Sequence, residues 1–223
     1  MNLPNTITAG RILAAPFIAV LPFVASPGAR LSGFVLYIVA AVTDYYDGKL
    51  ARTRGLETDS GRLLDPLADK LLLFATLIPM FVLMAPANDR FAPAITSVSE
   101  ASSLPFLTPF GRVSLAWWIV VIVIGREIFM TLFRQFAAWR GVVIGAIGPA
   151  KWKTGFQCTW VGAAYFWFFA ATLAAREGWT NRAWTGFAYF NGLVGAVTMI
   201  AAVFLTLYSL ALYLGRYGRL LRR

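Results

Sequence analysis

Six apolar runs of this 223-residue chain are candidates to cross a lipid bilayer, the first being the least secure because it is short and holds Pro16 and Pro22, and no other feature restricts its fold as much. They cover 10–26, 32–51, 67–86, 114–137, 155–175 and 187–214. A helix needs roughly 20 apolar residues to cross the hydrocarbon core. In lipid every backbone N–H and C=O must be bonded within the protein, which leaves helices or closed barrels. Runs of this length select helices. Only 13% of the residues are charged, against roughly 25% in a soluble domain. Too few charges remain to coat a water-facing surface, and the 59% hydrophobic content excludes disorder. The expected fold is therefore all-α and integral to the membrane. Six transmembrane helices form one domain over 1–223. A short interfacial helix precedes them over Leu3 to Arg11, with Asn5 or Thr6 as its cap. No basic residue precedes Arg11, which speaks against a secretory leader.

The basic residues fix an orientation. There are 20 Lys and Arg against 10 Asp and Glu, a net charge of +10. With both termini cytoplasmic, Arg11, Lys49, Arg52, Arg54, Arg62, Lys70, Arg126, Arg134, Arg140, Lys151, Lys153 and the C-terminal arginines fall inside. Arg30, Arg90, Arg112, Arg176 and Arg182 fall outside. That asymmetry obeys the positive-inside rule. Arg216, Arg219, Arg222 and Arg223 read as an anchor for anionic lipid. Because topology absorbs most of the basic excess, no nucleic-acid partner is expected. The outer loop 87–113 is rich in Ser, Pro and Thr and carries no site-like cluster. No internal repeat is visible, which weighs against an inverted-repeat transporter.

The chemistry is narrowed by what is missing. The chain has no histidine, so His-based acid–base catalysis and Ser-His-Asp triads are excluded. The single cysteine, Cys158, cannot build a Cys/His zinc site. Any metal must be hard and bound through oxygen.

The acids are crowded. Asp44 and Asp47 lie near the inner end of the second run, and Asp65 and Asp69 open the third. At about 100° per residue, Asp47, Gly48 and Ala51 all lie within about 60° of Asp44 on one helical stripe. Asp65 and Asp69 are four apart and share a face, which Gly61 continues. A short turn joins the two helices, so they are expected to pack as an antiparallel hairpin with four carboxylates facing each other. Clustered like charges at membrane depth are expensive and call for a counter-ion. Two hard divalent cations, Mg2+ or Mn2+, would relieve the repulsion. Gly48 and Ala51 remove bulk, so that a phosphorylated ligand can approach the backbone. Two metals beside a small-residue platform suggest phosphoryl transfer. A cation transporter would carry its acids near the bilayer centre, whereas these lie beside the cytoplasmic turn. Glu57 and Asp59 read as ordinary turn residues.

The pattern D-x2-D-G-x2-A-R-x8-G-x3-D-x3-D resembles the signature of the CDP-alcohol phosphatidyltransferases. Asp44, Asp47, Gly48, Ala51, Arg52, Gly61, Asp65 and Asp69 match all its fixed positions. The resemblance implies a six-helix fold, a homodimer, and a two-metal site open to the cytoplasm. It implies that Asp44, Asp47 and Asp65 bind metal, and that Asp69 binds metal or acts as general base on the acceptor hydroxyl. It places CDP-diacylglycerol against Gly48, Ala51, Arg52 and Gly61. The reaction implied is attack of an alcohol on the β-phosphorus of CDP-diacylglycerol, releasing CMP, at a bacterial-type cytoplasmic (inner) membrane.

A second stretch bears on the acceptor. Arg126 lies inside a strongly apolar run, which is costly unless it faces a cavity or a partner. Glu127 and Arg134 are seven apart and nearly share a stripe, so they are expected to pair, leaving Arg126 as a free cation. Lys151 and Lys153 are two apart, so on one helix they would point to opposite sides. At least one of them is therefore expected in the preceding turn. Arg126, Arg134, Lys151 and Lys153 together would suit a small phosphate. Gly125-Arg126-Glu127 and Lys151-Trp152-Lys153-Thr154 resemble the phosphatidylglycerophosphate synthase branch of the same family, as does the start with Asn5, Thr8, Arg11 and Pro16. That resemblance implies glycerol 3-phosphate as acceptor. The chain departs from the branch at Gln135, where many members carry Glu.

Overall fold

The computed structural model describes residues 3–54, 59–85, 103–145 and 148–218. Six long helices run through them. They are α1 (Leu3–Val20), α2 (Pro27–Arg54), α3 (Asp59–Met84), α4 (Trp117–Trp139), α5 (Gly148–Glu177) and α6 (Arg182–Tyr217). A 3-10 turn, Leu21–Phe23, closes α1, and a hairpin of β1 (Phe106–Thr108) and β2 (Gly111–Val113) precedes α4. The turn expected between α2 and α3, and residues 86–102 of the outer loop, lie outside the described residues.

Local chemistry sets the ends. Pro27 opens α2, where its fixed φ suits the first helical position. Asn181 caps α6 by accepting from the Trp184 N–H at 2.8 Å. Gly178 ends α5 at φ +66°, and the Trp179 N–H reaches back to the Ala174 carbonyl at 3.0 Å. The separate interfacial helix expected at the start is absent. Its residues form the first turns of α1, because nothing between Leu3 and Val20 breaks the helix. Pro16 lies within it. The first run also stops earlier than position 26, since the chain turns at Leu21–Phe23. Arg30, expected to mark the outer side, is buried against this turn. It donates from Nε to the Pro22 carbonyl at 2.9 Å and bonds Thr172.

Among the described residues, four helices are long and apolar enough to cross a membrane: Asn5–Phe23, Pro66–Met84, Gly148–Glu177 and Arg182–Tyr217. Of the two other long helices, α4 carries Arg126, Glu127 and Arg134, and α2 carries Asp44, Asp47, Lys49 and Arg52. Large apolar side chains such as Leu13, Phe17, Ile200 and Phe204 are exposed. Exposed apolar patches of this extent suit a lipid environment. The chain is an all-α, multi-pass membrane protein, with one small hairpin among the described residues.

The core gathers Ile18, Leu77, Met80, Val123, Trp160, Tyr165 and Phe168. Between lipid-facing helices the cohesion comes from close van der Waals packing and interhelical hydrogen bonds. The buried Tyr165 hydroxyl supplies one such link, within 3.0 Å of the Ile18 carbonyl and 3.1 Å of the Ala75 carbonyl. It joins α5 to α1 and α3. The hairpin presses its backbone on α6 at Gly192 and its Phe106 ring at Gly195. A methyl group at Gly192 would overlap the Leu107 carbonyl.

One arrangement differs from the expected hairpin of acids. Among the described residues, α2 and α3 pack extensively on α1 rather than on each other. Thr8, Arg11, Ala15 and Ile18 recur every three or four residues and are all buried. They form one stripe of α1, and that stripe faces the bundle. The short, proline-containing first run thus forms the helix that lies between the two acidic helices.

Candidate active site

The α1 stripe brings Arg11 to the acids. Its Nη1 bonds Asp44 Oδ1 on α2 and lies 3.2 Å from Asp69 Oδ1 on α3. The guanidinium is 4% exposed, while the Asp44 and Asp69 side chains are 46% and 60% exposed. One buried cation therefore backs two carboxylates that open to the other side. A buried guanidinium without carboxylates would be costly. The sequence places Arg11 among the inside cations and in the family-like start, with no site role. The available signal was its place inside the first apolar run, where a charge usually has a partner.

The carboxylates open into a cleft of about 190 Å³. Asp44, Tyr37, Asp69 and Thr76 line one side, and Glu127, Lys153, Gln157 and Cys158 the other. The Tyr37 hydroxyl donates to the Cys158 carbonyl at 3.0 Å, tying α2 to α5 at the cleft wall. Tyr37, Thr76 and Cys158 carry no sequence signal, because each lies within an ordinary apolar run. Asp47, Gly48, Ala51, Arg52, Gly61 and Asp65 have helical backbones in α2 and α3, and their side-chain environment lies outside the description.

The basic wall is built differently from the expected one. Glu127 does not pair with Arg134. Its Oε1 accepts from Arg126 Nη1 at 2.8 Å and bonds Lys153 Nζ. Arg126 Nη2 also donates to Ser209 Oγ on α6 at 3.1 Å, so Arg126 is held in an ion pair. The reason is axial distance. Seven residues nearly share a stripe, but they are two turns, about 10.5 Å, apart along the axis. Arg134 instead lies over the Tyr213 ring at 5.8 Å, with Nη2 3.4 Å from its hydroxyl. Both lysines lie on α5, because that helix begins at Gly148, before either of them. Two residues apart, they face opposite ways. Lys153 is 5% exposed and lines the cleft, and Lys151 is exposed. Of the four basic candidates, Arg126 and Lys153 meet at Glu127, while Arg134 and Lys151 do not join them.

The donor set suits hard cations. Two carboxylates from different helices converge on one positive nitrogen, and carboxylate oxygen is the ligand that Mg2+ and Mn2+ take. The described residues hold no cluster of three or more acids or other ligating side chains. Chemically, the cleft offers partly exposed carboxylates on one wall and a buried cation beside a carboxylate on the other.

Comparison with known proteins gives the same direction. A model of the family described as CDP-alcohol phosphatidyltransferase matches residues 1–213. The CDP-diacylglycerol–glycerol-3-phosphate 3-phosphatidyltransferase of Bacillus subtilis is 34% identical over 73% of this chain and 75% of its own length. The chloroplastic/mitochondrial Arabidopsis thaliana protein of that name, numbered 1, is 30% identical over the whole chain, which spans 65% of the plant protein. The cardiolipin synthase (CMP-forming) of Oryza sativa is 32% identical over 71% of this chain and 44% of its own length. On the family match over almost its full length, the chain belongs to the CDP-alcohol phosphatidyltransferase family.

Proposed function

We propose that this chain transfers the phosphatidyl group of CDP-diacylglycerol to glycerol 3-phosphate, giving phosphatidylglycerophosphate and CMP. One observation carries the reading: Asp44 and Asp69 share a single cleft with Glu127 and Lys153. In this reading the carboxylates that receive the diphosphate adjoin a buried cation suited to an anionic acceptor. Relatives bearing the glycerol-3-phosphate name support the same acceptor.

In this reading Asp44, Asp47, Asp65 and Asp69 hold two divalent cations, Mg2+ or Mn2+. When bound, the ions supply positive charge against the diphosphate. Gly48, Ala51, Arg52 and Gly61 lie against CDP-diacylglycerol. Lys153, with Arg126 behind Glu127, faces the acceptor phosphate. The acceptor hydroxyl oxygen forms a bond to the β-phosphorus as the bond to CMP breaks, and its proton passes to Asp69. With no histidine in the chain, a carboxylate is the base at hand. The same reading makes all six long helices membrane spans, with termini and cleft on the cytoplasmic side of a bacterial-type inner membrane, in a homodimer.

The test is an acceptor competition with purified protein, CDP-diacylglycerol and labelled glycerol 3-phosphate. Phosphatidylglycerophosphate and CMP are expected, and EDTA or Asp65→Asn should abolish both. Preference for phosphatidylglycerol, serine or an inositol phosphate over glycerol 3-phosphate would overturn the acceptor. Activity surviving EDTA would overturn the metals.

A further inference from the structure

We propose that Arg11 is a positioning residue that grips the Asp44 and Asp69 carboxylates from their buried side and so fixes how they face a divalent ion. The inference rests on the ion-binding reading of those carboxylates above.

Three observations carry it. First, the three groups come from three helices, and α1 is the shared neighbour of α2 and α3. The Arg11 contact therefore helps set the relation of the two acidic helices at the height of the site. Second, burial is one-sided. The guanidinium is almost wholly buried, and the carboxylates are about half open. An ion approaching from the cleft meets the carboxylates first. Third, Arg11 Nη1 contacts both Oδ1 atoms, which links the two side chains through the same guanidinium.

The opposite role would make Arg11 a stand-in cation that an ion must displace. The energetics favour the grip. Displacement would take two carboxylates from a guanidinium that water cannot reach, and breaking a buried pair in this way is strongly destabilising. Repulsion between guanidinium and ion acts across a half-open site, where water screens it. The guanidinium therefore stays, and the ion binds in front. Groups that orient metal ligands in this manner typically change metal affinity about 10–100-fold when removed.

The experiment is Mn2+ binding by electron paramagnetic resonance, on detergent-purified protein without substrate. Wild type, Arg11→Gln, Arg11→Lys and Asp65→Asn are compared, with the thermal midpoint of each in EDTA. Arg11→Gln should weaken Mn2+ binding at least about tenfold. Arg11→Lys keeps the charge but loses the planar fork, and should weaken it by less than Arg11→Gln does. A purely structural role would lower the midpoint and leave Mn2+ affinity alone, which overturns the proposal. Tighter binding in Arg11→Gln identifies a displaced stand-in and overturns it too. If Arg11→Gln does not fold, wild-type affinity in Arg11→Lys is decisive against it. Wild-type binding that is absent, or unmoved by Asp65→Asn, sinks the ion reading itself, which separates that failure from this one.

Discussion

The two walls of the cleft handle charge in opposite ways. On the acidic wall the cation is hidden and the carboxylates are open: Arg11 lies behind Asp44 and Asp69. On the basic wall the cations are hidden too, and a single carboxylate, Glu127 at 28% exposure, is shared between them. The first wall presents negative charge that water or an ion can reach. The second holds two buried cations on one acid, so its positive surplus is local and shielded. A reactive carboxylate must meet solvent and ligand, whereas a cation that sorts acceptors works best with water excluded. Substitutions on the two walls should therefore fail differently.

The largest expected effect is on the acidic wall. Asp69→Asn should lower kcat about 10³-fold, the middle of the range for a general acid–base group. Asp44 would remain beside Arg11, so the thermal midpoint should move little. Both quantities can be read on one detergent preparation. A folded Asp69→Asn protein with near-normal kcat would remove Asp69 from the chemistry.

Glu127→Gln should show the reverse pattern. Amide for carboxylate leaves Arg126 and Lys153 buried without their shared charge partner. Breaking a buried pair typically costs 3–5 kcal/mol, so unfolding should become easier by about 3 kcal/mol. Thermal denaturation measures it. An unchanged midpoint would mean that the two cations are neutralised elsewhere, and the contrast between the walls would fail.

How much of this could be read beforehand follows from the physics of each signal. The long helices were legible because hydropathy over about 20 residues is a summed quantity that single errors do not disturb. Asp44, Asp47, Asp65 and Asp69 stood out because their spacing within each helix fixes a shared face. Which helices pack together was not legible, since periodicity gives a face and not its neighbour. That is why α1 entered between α2 and α3 unseen, and why Arg11 was counted toward topology. Glu127 was assigned to Arg134 because angle was weighed without axial rise. The hairpin around Pro109 was hidden in a loop, its two strands being only three residues each.

On the basic wall, Lys153→Met should act on binding. Removing the buried charge beside the cleft should raise KM for glycerol 3-phosphate by about tenfold, the loss of one charge-assisted hydrogen bond. KM for CDP-diacylglycerol should stay within about twofold. Steady-state kinetics with each substrate varied in turn checks the split. Equal rises in both constants would indicate a distorted cleft rather than a lost acceptor contact.

The smallest effect is the sharpest control. Lys151 is one of the same two lysines, two residues before Lys153, yet the continuous helix α5 turns it to the opposite side, where it is exposed. An exposed substitution away from a special contact usually changes stability by less than about 0.5 kcal/mol. Lys151→Met should therefore leave the midpoint and both KM values near wild type. The pair of variants isolates direction from charge, since each removes one lysine from the same turn. If Lys151→Met raises KM for glycerol 3-phosphate as much as Lys153→Met does, the acceptor responds to the net charge of the region, and the buried position of Lys153 confers nothing of its own. If only Lys153→Met does so, selectivity depends on Lys153, the cation that lines the cleft among the described residues.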